Sequence, residues 1–160
     1  MVARLLYDKG YSEFVSAARI VKETRPDVRF DIAGTLNEAN PSGVPKSVIA
    51  GDDASGCIRY LGYVEDIKSQ LTDPNTVVVL PSYYREGMNR SLMEACACGR
   101  PVITTNLPGL REVVEDGVNG FLVLPKDERD LTKAIFSFLQ LPVEKRRQMG
   151  RESRKLAEDR

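Results

Sequence analysis

Asn75-Thr-Val-Val-Val-Leu80 is a continuous run rich in β-branched residues, the pattern of a strand buried on both faces, and such strands occur in parallel sheets covered by helices on each side. Beyond Pro81 the pattern alternates: a helix over residues 89–98, a strand over 101–105, a helix over 110–115, an Asn119-Gly120 turn, a strand over 121–124 and a helix over 128–140. The residues before Asn75 alternate as well. Met1-Val-Ala-Arg-Leu-Leu6 reads as a strand with no turn residues before it, so the chain is expected to open inside an element of something longer. Phe14, Val15, Ala18 and Val21 recur at helical spacing over residues 12–24, before Pro26. Val28-Arg-Phe-Asp-Ile-Ala-Gly34 is an alternating strand, residues 58–61 a short strand and 64–71 a short helix. Residues 35–56, rich in Asn, Pro, Ser and Gly around the single apolar patch Val48-Ile-Ala50, are expected to form a long mobile loop with one helical turn. Strands alternating with helices imply right-handed crossovers. The fold class is therefore α/β, a doubly wound, Rossmann-like parallel sheet centred near residues 75–80.

The chain has 160 residues, 42% hydrophobic and 29% charged, the size and composition of one globular domain over residues 1–160. Lys plus Arg and Asp plus Glu are each 23, leaving no basic excess to neutralise nucleic acid phosphates. No apolar run reaches the 18 or so residues of a spanning helix and no signal-peptide pattern opens the chain, which points to a cytoplasmic setting. The three cysteines include no CxxC pair and there is no histidine, so no tetrahedral zinc site, catalytic triad or Cys-His pair can be assembled from this chain. Cys96 and Cys98 read as small apolar residues on a helix. The tail over residues 142–160 is helical in composition, with seven Lys or Arg against four Asp or Glu. It reads as a solvated face, with contact to an anionic membrane surface as the second reading.

Ligands of doubly wound sheets bind outside the carboxyl ends of the strands, which draws attention to residues 4–10, 34–56, 62–66, 81–90 and 105–109. From Leu92 to Cys98 every residue but Glu94 is apolar or small, so this helix is expected to be buried nearly all round with Glu94 as the anomaly. A capping box Ser91-x-x-Glu94 would explain the carboxylate structurally. Asn89 is an equally good cap and would place Glu94 in the second turn, facing a cleft. Ahead of it, Glu86-Gly87 combines an acceptor with a glycine that lets a ligand approach backbone N–H groups. Two carboxylates eight positions apart suit a polyhydroxylated ligand.

The frame that begins Glu86-Gly-Met-Asn-Arg-Ser-Leu-Met-Glu94 and runs through residue 123 strongly resembles the C-terminal, donor-binding domain of the retaining GT-B glycosyltransferases of family four. Ala3-Arg-Leu-Leu-Tyr-Asp-Lys-Gly10 is similar to that family's first strand and loop, with Ala3 in place of a leading glycine, and Tyr60-Leu-Gly-Tyr-Val64 to its base-binding segment. The match extends from Val2 to about Met149. The resemblance implies one half of a GT-B fold that binds a nucleotide-sugar co-substrate, UDP-linked ahead of GDP-linked, with no other cofactor and no metal. It implies that Arg4 and Lys9 hold the donor diphosphate, that Glu86 accepts from a hydroxyl of the transferred sugar and Glu94 from the ribose, and that Gly87, Met88 and Asn89 offer backbone contacts to that sugar. Tyr63 and Val64 would meet the base, and Gly109 would let backbone approach the phosphates. The donor's own phosphate would deprotonate the acceptor, so neither glutamate need be a nucleophile.

The implied activity moves a hexose or N-acetylhexosamine to a glycan or polyprenyl-linked acceptor held by an N-terminal domain beyond this sequence, at the inner face of the membrane if the acceptor is lipid-linked. Without that domain the chain is expected to bind donor and transfer little. Two other readings stand beside this one: a GT-B epimerase of UDP-sugars, which usually carries a histidine and further acids in this half, and a non-catalytic flavodoxin-like binding or regulatory domain. A receiver domain would show an acid where Arg4 stands.

Overall fold

A computed structural model describes residues 1–85 and 87–159. Among them α1 (Tyr11–Thr24), β1 (Asp31–Ile32), α2 (Lys46–Ala54), β2 (Arg59–Tyr60), β3 (Val78–Leu80), α3 (Arg90–Ala97), β4 (Val102–Thr105), β5 (Gly120–Val123), α4 (Glu128–Gln140) and α5 (Val143–Glu158) follow one another, with 3-10 turns at Tyr7–Lys9, Ile67–Leu71 and Arg111–Val113. The helices follow their local chemistry. In α1, Phe14, Val15, Ala18 and Val21 are buried on one stripe and the helix ends ahead of Pro26. The carboxylate of Asp127 accepts from the N–H groups of Arg129 and Asp130 at 3.0 and 2.9 Å, so α4 starts where its cap dictates.

Every ladder is parallel. β1 pairs with β2, β3 with β4 and β4 with β5. Residues 1–6 extend the first ladder through isolated bridges and through the Ala3 N–H to Ala33 and Ala33 N–H to Met1 hydrogen bonds at 3.1 and 2.9 Å. The spatial order is therefore β2, β1, residues 1–6, then β3, β4, β5. The chain winds outward from its opening segment to β2, returns to β3, and winds the other way. With crossovers of one hand, the two windings place α1 and α3 on opposite faces; α1 packs against α4, and α3 against α5. β3 and β4 are buried at every position.

The sheet is interrupted at the reversal. Among the described residues no bridge joins residues 1–6 to β3, and a cavity of about 400 Å³ bordered by Met1, Val2, Phe30, Val78, Val79 and Phe138 lies there. The Met1 nitrogen donates to the Asp31 carbonyl at 2.7 Å. The expected sheet centre near β3 is thus the junction of two ladders. They are joined instead at their carboxyl ends, where the Asp8 carbonyl accepts from Tyr83 N–H (2.9 Å), Tyr84 N–H (3.1 Å) and the Ser82 hydroxyl (3.2 Å).

Residues 35–56 are not the loop their composition suggests. Lys46–Ala54 is helical, with Ile49 and Asp52 buried, because Asp52 receives the Tyr11 hydroxyl at 2.8 Å and pairs with Arg19, which fastens α2 to α1. The segment before it is tied down as well, by the Tyr7 N–H to Ser42 carbonyl bond at 2.7 Å and the Asp8 N–H to Ser42 Oγ bond at 3.0 Å. Residues 110–115 form only a 3-10 turn. The turn expected at Asn119-Gly120 falls at Gly117 (φ 75°), and Asn119 is an internal brace: its amide donates to the Val113 carbonyl at 3.0 Å and its oxygen accepts from Glu115 N–H at 2.7 Å.

Glu13 lies in the first turn of α1 with Oε2 buried and lacking a hydrogen-bond partner among the described residues. Burial raises its pKa above the ordinary carboxyl value, and nearby Lys126 offsets this only in part. A carboxyl whose folded pKa lies above its unfolded one favours folding at pH below the unfolded value, and that contribution is lost as pH rises through the folded value. Glu13→Gln should therefore raise the melting temperature at pH 7 and change it little at pH 4. Calorimetry at the two pH values checks this, and a lower melting temperature at pH 7 would assign a stabilising role to the carboxylate.

Candidate functional site

The reversal of strand order is a topological switch point, the place in an open α/β sheet where loops diverge at the carboxyl edge and leave a crevice. On its β1 side, Gly34 meets the opening segment so closely that a Cβ there would fall 1.7 Å from the Ala3 carbonyl oxygen. Gly34 N–H donates to the Gly62 carbonyl at 2.8 Å and the Tyr60 hydroxyl to the Gly34 carbonyl at 2.9 Å. These contacts bring Arg4 and residues 62–64 to one edge. Arg4 is exposed, Tyr63 is 72% exposed and Val64 is half-buried.

Across the crevice Lys9 is buried, its ammonium 4.9 Å from the centroid of the Tyr84 ring. The face of that ring stabilises a cation that burial would otherwise penalise. Lys126, which adopts a left-handed backbone (φ 58°) after β5, places its ammonium 4.6 Å from the Tyr83 centroid. Two lysines from distant parts of the chain thus bracket a tyrosine pair. The Thr104 hydroxyl donates to the Leu80 carbonyl at 2.8 Å and that of Thr105 to the Ser82 carbonyl, which fixes the loop after β3 to the end of β4. Sequence reasoning misses Tyr83, Tyr84, Lys126 and the Asp8 carbonyl. The adjacent tyrosines after Pro81 are the available signal, whereas nothing local marks Lys126.

At the entry to α3, Asn89 is the N-cap, its side chain accepting from Leu92 N–H at 3.2 Å. Ser91 therefore does not start a capping box, and Glu94 stands in the second turn. Asn89 N–H donates to the carbonyl of Gly109 (φ 90°) at 3.3 Å, and Gly109 N–H to Glu112 Oε2 at 2.7 Å. The N–H of Asn89 is thus engaged in fixing the two loops together. Gly87 and Met88 are exposed, and a Cβ at Gly87 would meet nothing within 4 Å. Glu86 lies outside the described residues.

Glu94 is not the buried, unpaired anomaly its neighbours suggest. Its side chain is 33% exposed and accepts from Arg90 Nε at 3.0 Å. α3 is amphipathic rather than buried all round, because Met93 is 41% exposed and Ala97 is exposed too. Glu94 shares a groove of about 270 Å³ with Met88, Met93 and Leu156. The ion pair with Arg90, itself 90% exposed, is of the surface kind worth under about 1 kcal/mol, so the carboxylate can exchange that partner for another at small cost. The loops at the carboxyl ends of the strands thus carry the cations Arg4, Lys9 and Lys126 and the exposed ring of Tyr63, and α3 carries a carboxylate with a surface partner, the chemistry that receives an anion joined to a polyhydroxylated, ring-bearing group.

Residues 1–156 match the family model described as glycosyl transferases group 1. The chain is 32% identical over 140 residues to the N,N'-diacetylbacillosaminyl-diphospho-undecaprenol alpha-1,3-N-acetylgalactosaminyltransferase of Campylobacter jejuni, covering 88% of this chain and 35% of that protein. It is 31% identical over 148 residues to the D-inositol 3-phosphate glycosyltransferase of Paenarthrobacter aurescens, covering 89% of this chain and 35% of that protein. Among solved structures, Anabaena HepE in complex with UDP superposes with a TM-score of 0.85 at 24% identity, over 99% of this chain and 44% of that one. The sucrose-phosphate synthase of Thermosynechococcus elongatus superposes with a TM-score of 0.81 at 27% identity, over 99% and 40%. The chain spans about a third of the length of the two relatives. No helix among the described residues is long and apolar enough to cross a membrane. With a match over nearly its whole length and a parallel sheet of GT-B type, the chain belongs to the group 1 glycosyltransferases.

Proposed function

We propose that this chain is the donor-binding half of a retaining, metal-independent glycosyltransferase that moves a hexose or N-acetylhexosamine from a UDP-sugar to a glycan or polyprenyl-linked acceptor. The observation that supports the reading is that Arg4, Lys9, Tyr63 and residues 87–89 all lie on segments at the carboxyl ends of the parallel strands. The Campylobacter relative is named for an undecaprenol-linked acceptor and the transfer of an N-acetylgalactosaminyl group, and the HepE structure holds UDP; both support the donor and acceptor classes assigned to this chain.

In the proposed reaction the bond between the anomeric carbon and the diphosphate oxygen breaks, and negative charge grows on the leaving oxygen. Arg4 and Lys9 stabilise that charge without a metal. The acceptor hydroxyl attacks the anomeric carbon from the face the diphosphate leaves and gives its proton to a donor phosphate oxygen, so configuration is retained. Glu86 accepts from a hydroxyl of the transferred sugar, Gly87 and Met88 border that sugar, and Asn89 acts as the cap that positions them. Glu94 leaves Arg90 to accept from the ribose hydroxyls, while Tyr63 and Val64 border the base. The acceptor, and the water-excluding second wall of the cleft, belong to a further domain, and the isolated chain binds donor without transferring sugar.

UDP should bind the chain in EDTA, more weakly at high salt, and Arg4→Ala should cost about 1.5–3 kcal/mol of that binding. Calorimetric titration decides this. Affinity that appears only with magnesium or manganese would overturn the metal-independent reading, and no affinity for any nucleotide would favour the non-catalytic binding domain. Glu94→Gln should cost about 1–3 kcal/mol of UDP affinity and leave the melting temperature nearly unchanged, since only a surface ion pair is lost; unchanged affinity would remove Glu94 from the ribose. In the enzyme joined to its acceptor domain, Glu86→Ala should depress transfer well beyond its effect on UDP affinity. Equal losses in both would contradict the assignment of Glu86 to the sugar.

A further inference from the structure

We propose that a second anion site lies at the opposite, amino edge of the sheet, where Arg100, Arg146, Arg147, Arg151 and Arg154 line a cleft of about 340 Å³ that contains no carboxylate, and that it binds a phosphate-bearing ligand. Its place in the fold separates it from the donor crevice. Arg100 comes directly before Pro101, whose carbonyl accepts from the first residue of β3 at 3.0 Å, while Arg4 and Lys9 stand at the other end of the strands.

The cleft is built from two segments far apart in sequence. Its floor is a contact between α5 and the end of α3, so close that a Cβ at Gly150 would fall 2.4 Å from the Gly99 carbonyl oxygen. Several guanidinium groups are oriented by neutral acceptors. Arg100 donates to the carbonyls of Cys98 (3.1 Å) and Asp73 (2.8 Å), and Arg146 to those of Leu141 and Leu139 (3.0 Å each) with its guanidinium 5.6 Å from the Phe138 centroid. Arg154 donates to the Ala97 carbonyl. A carbonyl orients a guanidinium without cancelling its charge. Glu144 is shared by Arg147 at 3.8 Å and Arg151 at 3.2 Å, and Glu158 is paired with Arg154 at 2.6 Å. The cleft itself is lined by five guanidinium groups and no carboxylate, in a chain whose net charge is zero. Arg147, Arg151 and Arg154 do pair with carboxylates of their own helix, as on a solvated face; what such a face lacks is Arg100. Here they converge with one residue from another element, and their mutual repulsion is relieved when an anion enters. Guanidinium groups held in place match phosphate oxygens in pairs and lose little freedom on binding.

The test monitors backbone amide resonances of the 160-residue chain during titration with inorganic pyrophosphate at constant ionic strength, alongside co-sedimentation with vesicles of phosphatidylglycerol or phosphatidylcholine. Arg147→Gln with Arg151→Gln removes two exposed cations and leaves the carbonyl contacts of Arg100, Arg146 and Arg154 intact, and Arg4→Ala weakens the donor crevice. Pyrophosphate is expected to shift Gly99, Arg100 and Gly150 with an affinity that falls about tenfold or more in the double variant and is unchanged in Arg4→Ala. Saturable shifts at those positions identify a free phosphate compound as ligand. Their absence, together with phosphatidylglycerol binding that the double variant loses, identifies a lipid headgroup. Shifts confined to residues 4–10 and 81–84 with no vesicle binding, or binding indifferent to the double variant, would overturn the proposal.

Discussion

The Asp8 carbonyl, accepting from two successive backbone N–H groups and a hydroxyl of the loop after β3, is the contact on which the rest of the molecule turns. No strand pairing spans the reversal of strand order among the described residues, so the two parallel ladders keep their relative position through this seam and through the helices on either face. Gly10 makes the seam possible. Its backbone is left-handed (φ 81°), and a Cβ would fall 2.3 Å from the Pro81 carbonyl oxygen, so any side chain would force the loops apart. The seam also determines where Lys9 meets Tyr84. The packing that completes the fold and the placement of the buried cation are thus one event.

Charge is distributed with similar economy. The chain is neutral as a whole, yet groups of cations stand at both ends of the strands, with Arg4, Lys9 and Lys126 at the carboxyl edge and an arginine cleft at the amino edge. At the carboxyl edge the two lysines are held by aromatic faces; at the amino edge several arginines are held by backbone carbonyls. An aromatic face or a carbonyl orients a cation without itself bringing a full opposite charge. Glu94 represents the contrasting case. Its partner is an exposed arginine one helical turn away, close enough to orient the carboxylate and weak enough to be replaced by ligand hydroxyls.

The parallel α/β architecture is legible in the sequence because β3, β4 and β5 fall in short apolar runs and α1 and α4 each have their own apolar stripe, information carried within a dozen residues. α4 begins and ends where its cap and periodicity say. The grouping of Arg4, residues 62–64 and Asn89 with Gly109 at one edge also follows from the strand order, since loops at the carboxyl ends of parallel strands converge whatever their sequence. Residues 35–56 defeat a local reading because α2 owes its helix to the buried Asp52, which bonds Tyr11 and Arg19 of another element, and local composition carries no record of a partner more than thirty positions away. α3 misleads in the opposite sense. Small and apolar residues imply burial only where something covers them fully, and Met93 and Ala97 are left exposed.

The sequence by itself determined the strand and helix periods, the absence of histidine chemistry and, through its motifs, the glycosyltransferase family, since these depend on neighbours along the chain or on residue identities alone. Only the tertiary structure decided that β3 stands at a junction of ladders, that Lys126 joins Lys9 around a tyrosine pair, that Glu94 is paired and partly exposed, and that the arginines of α5 converge with Arg100 into a cleft. Each of these depends on distances between residues that lie apart in the sequence or on what a neighbouring element covers, and such distances are set by how layers pack and loops close, which no local pattern encodes.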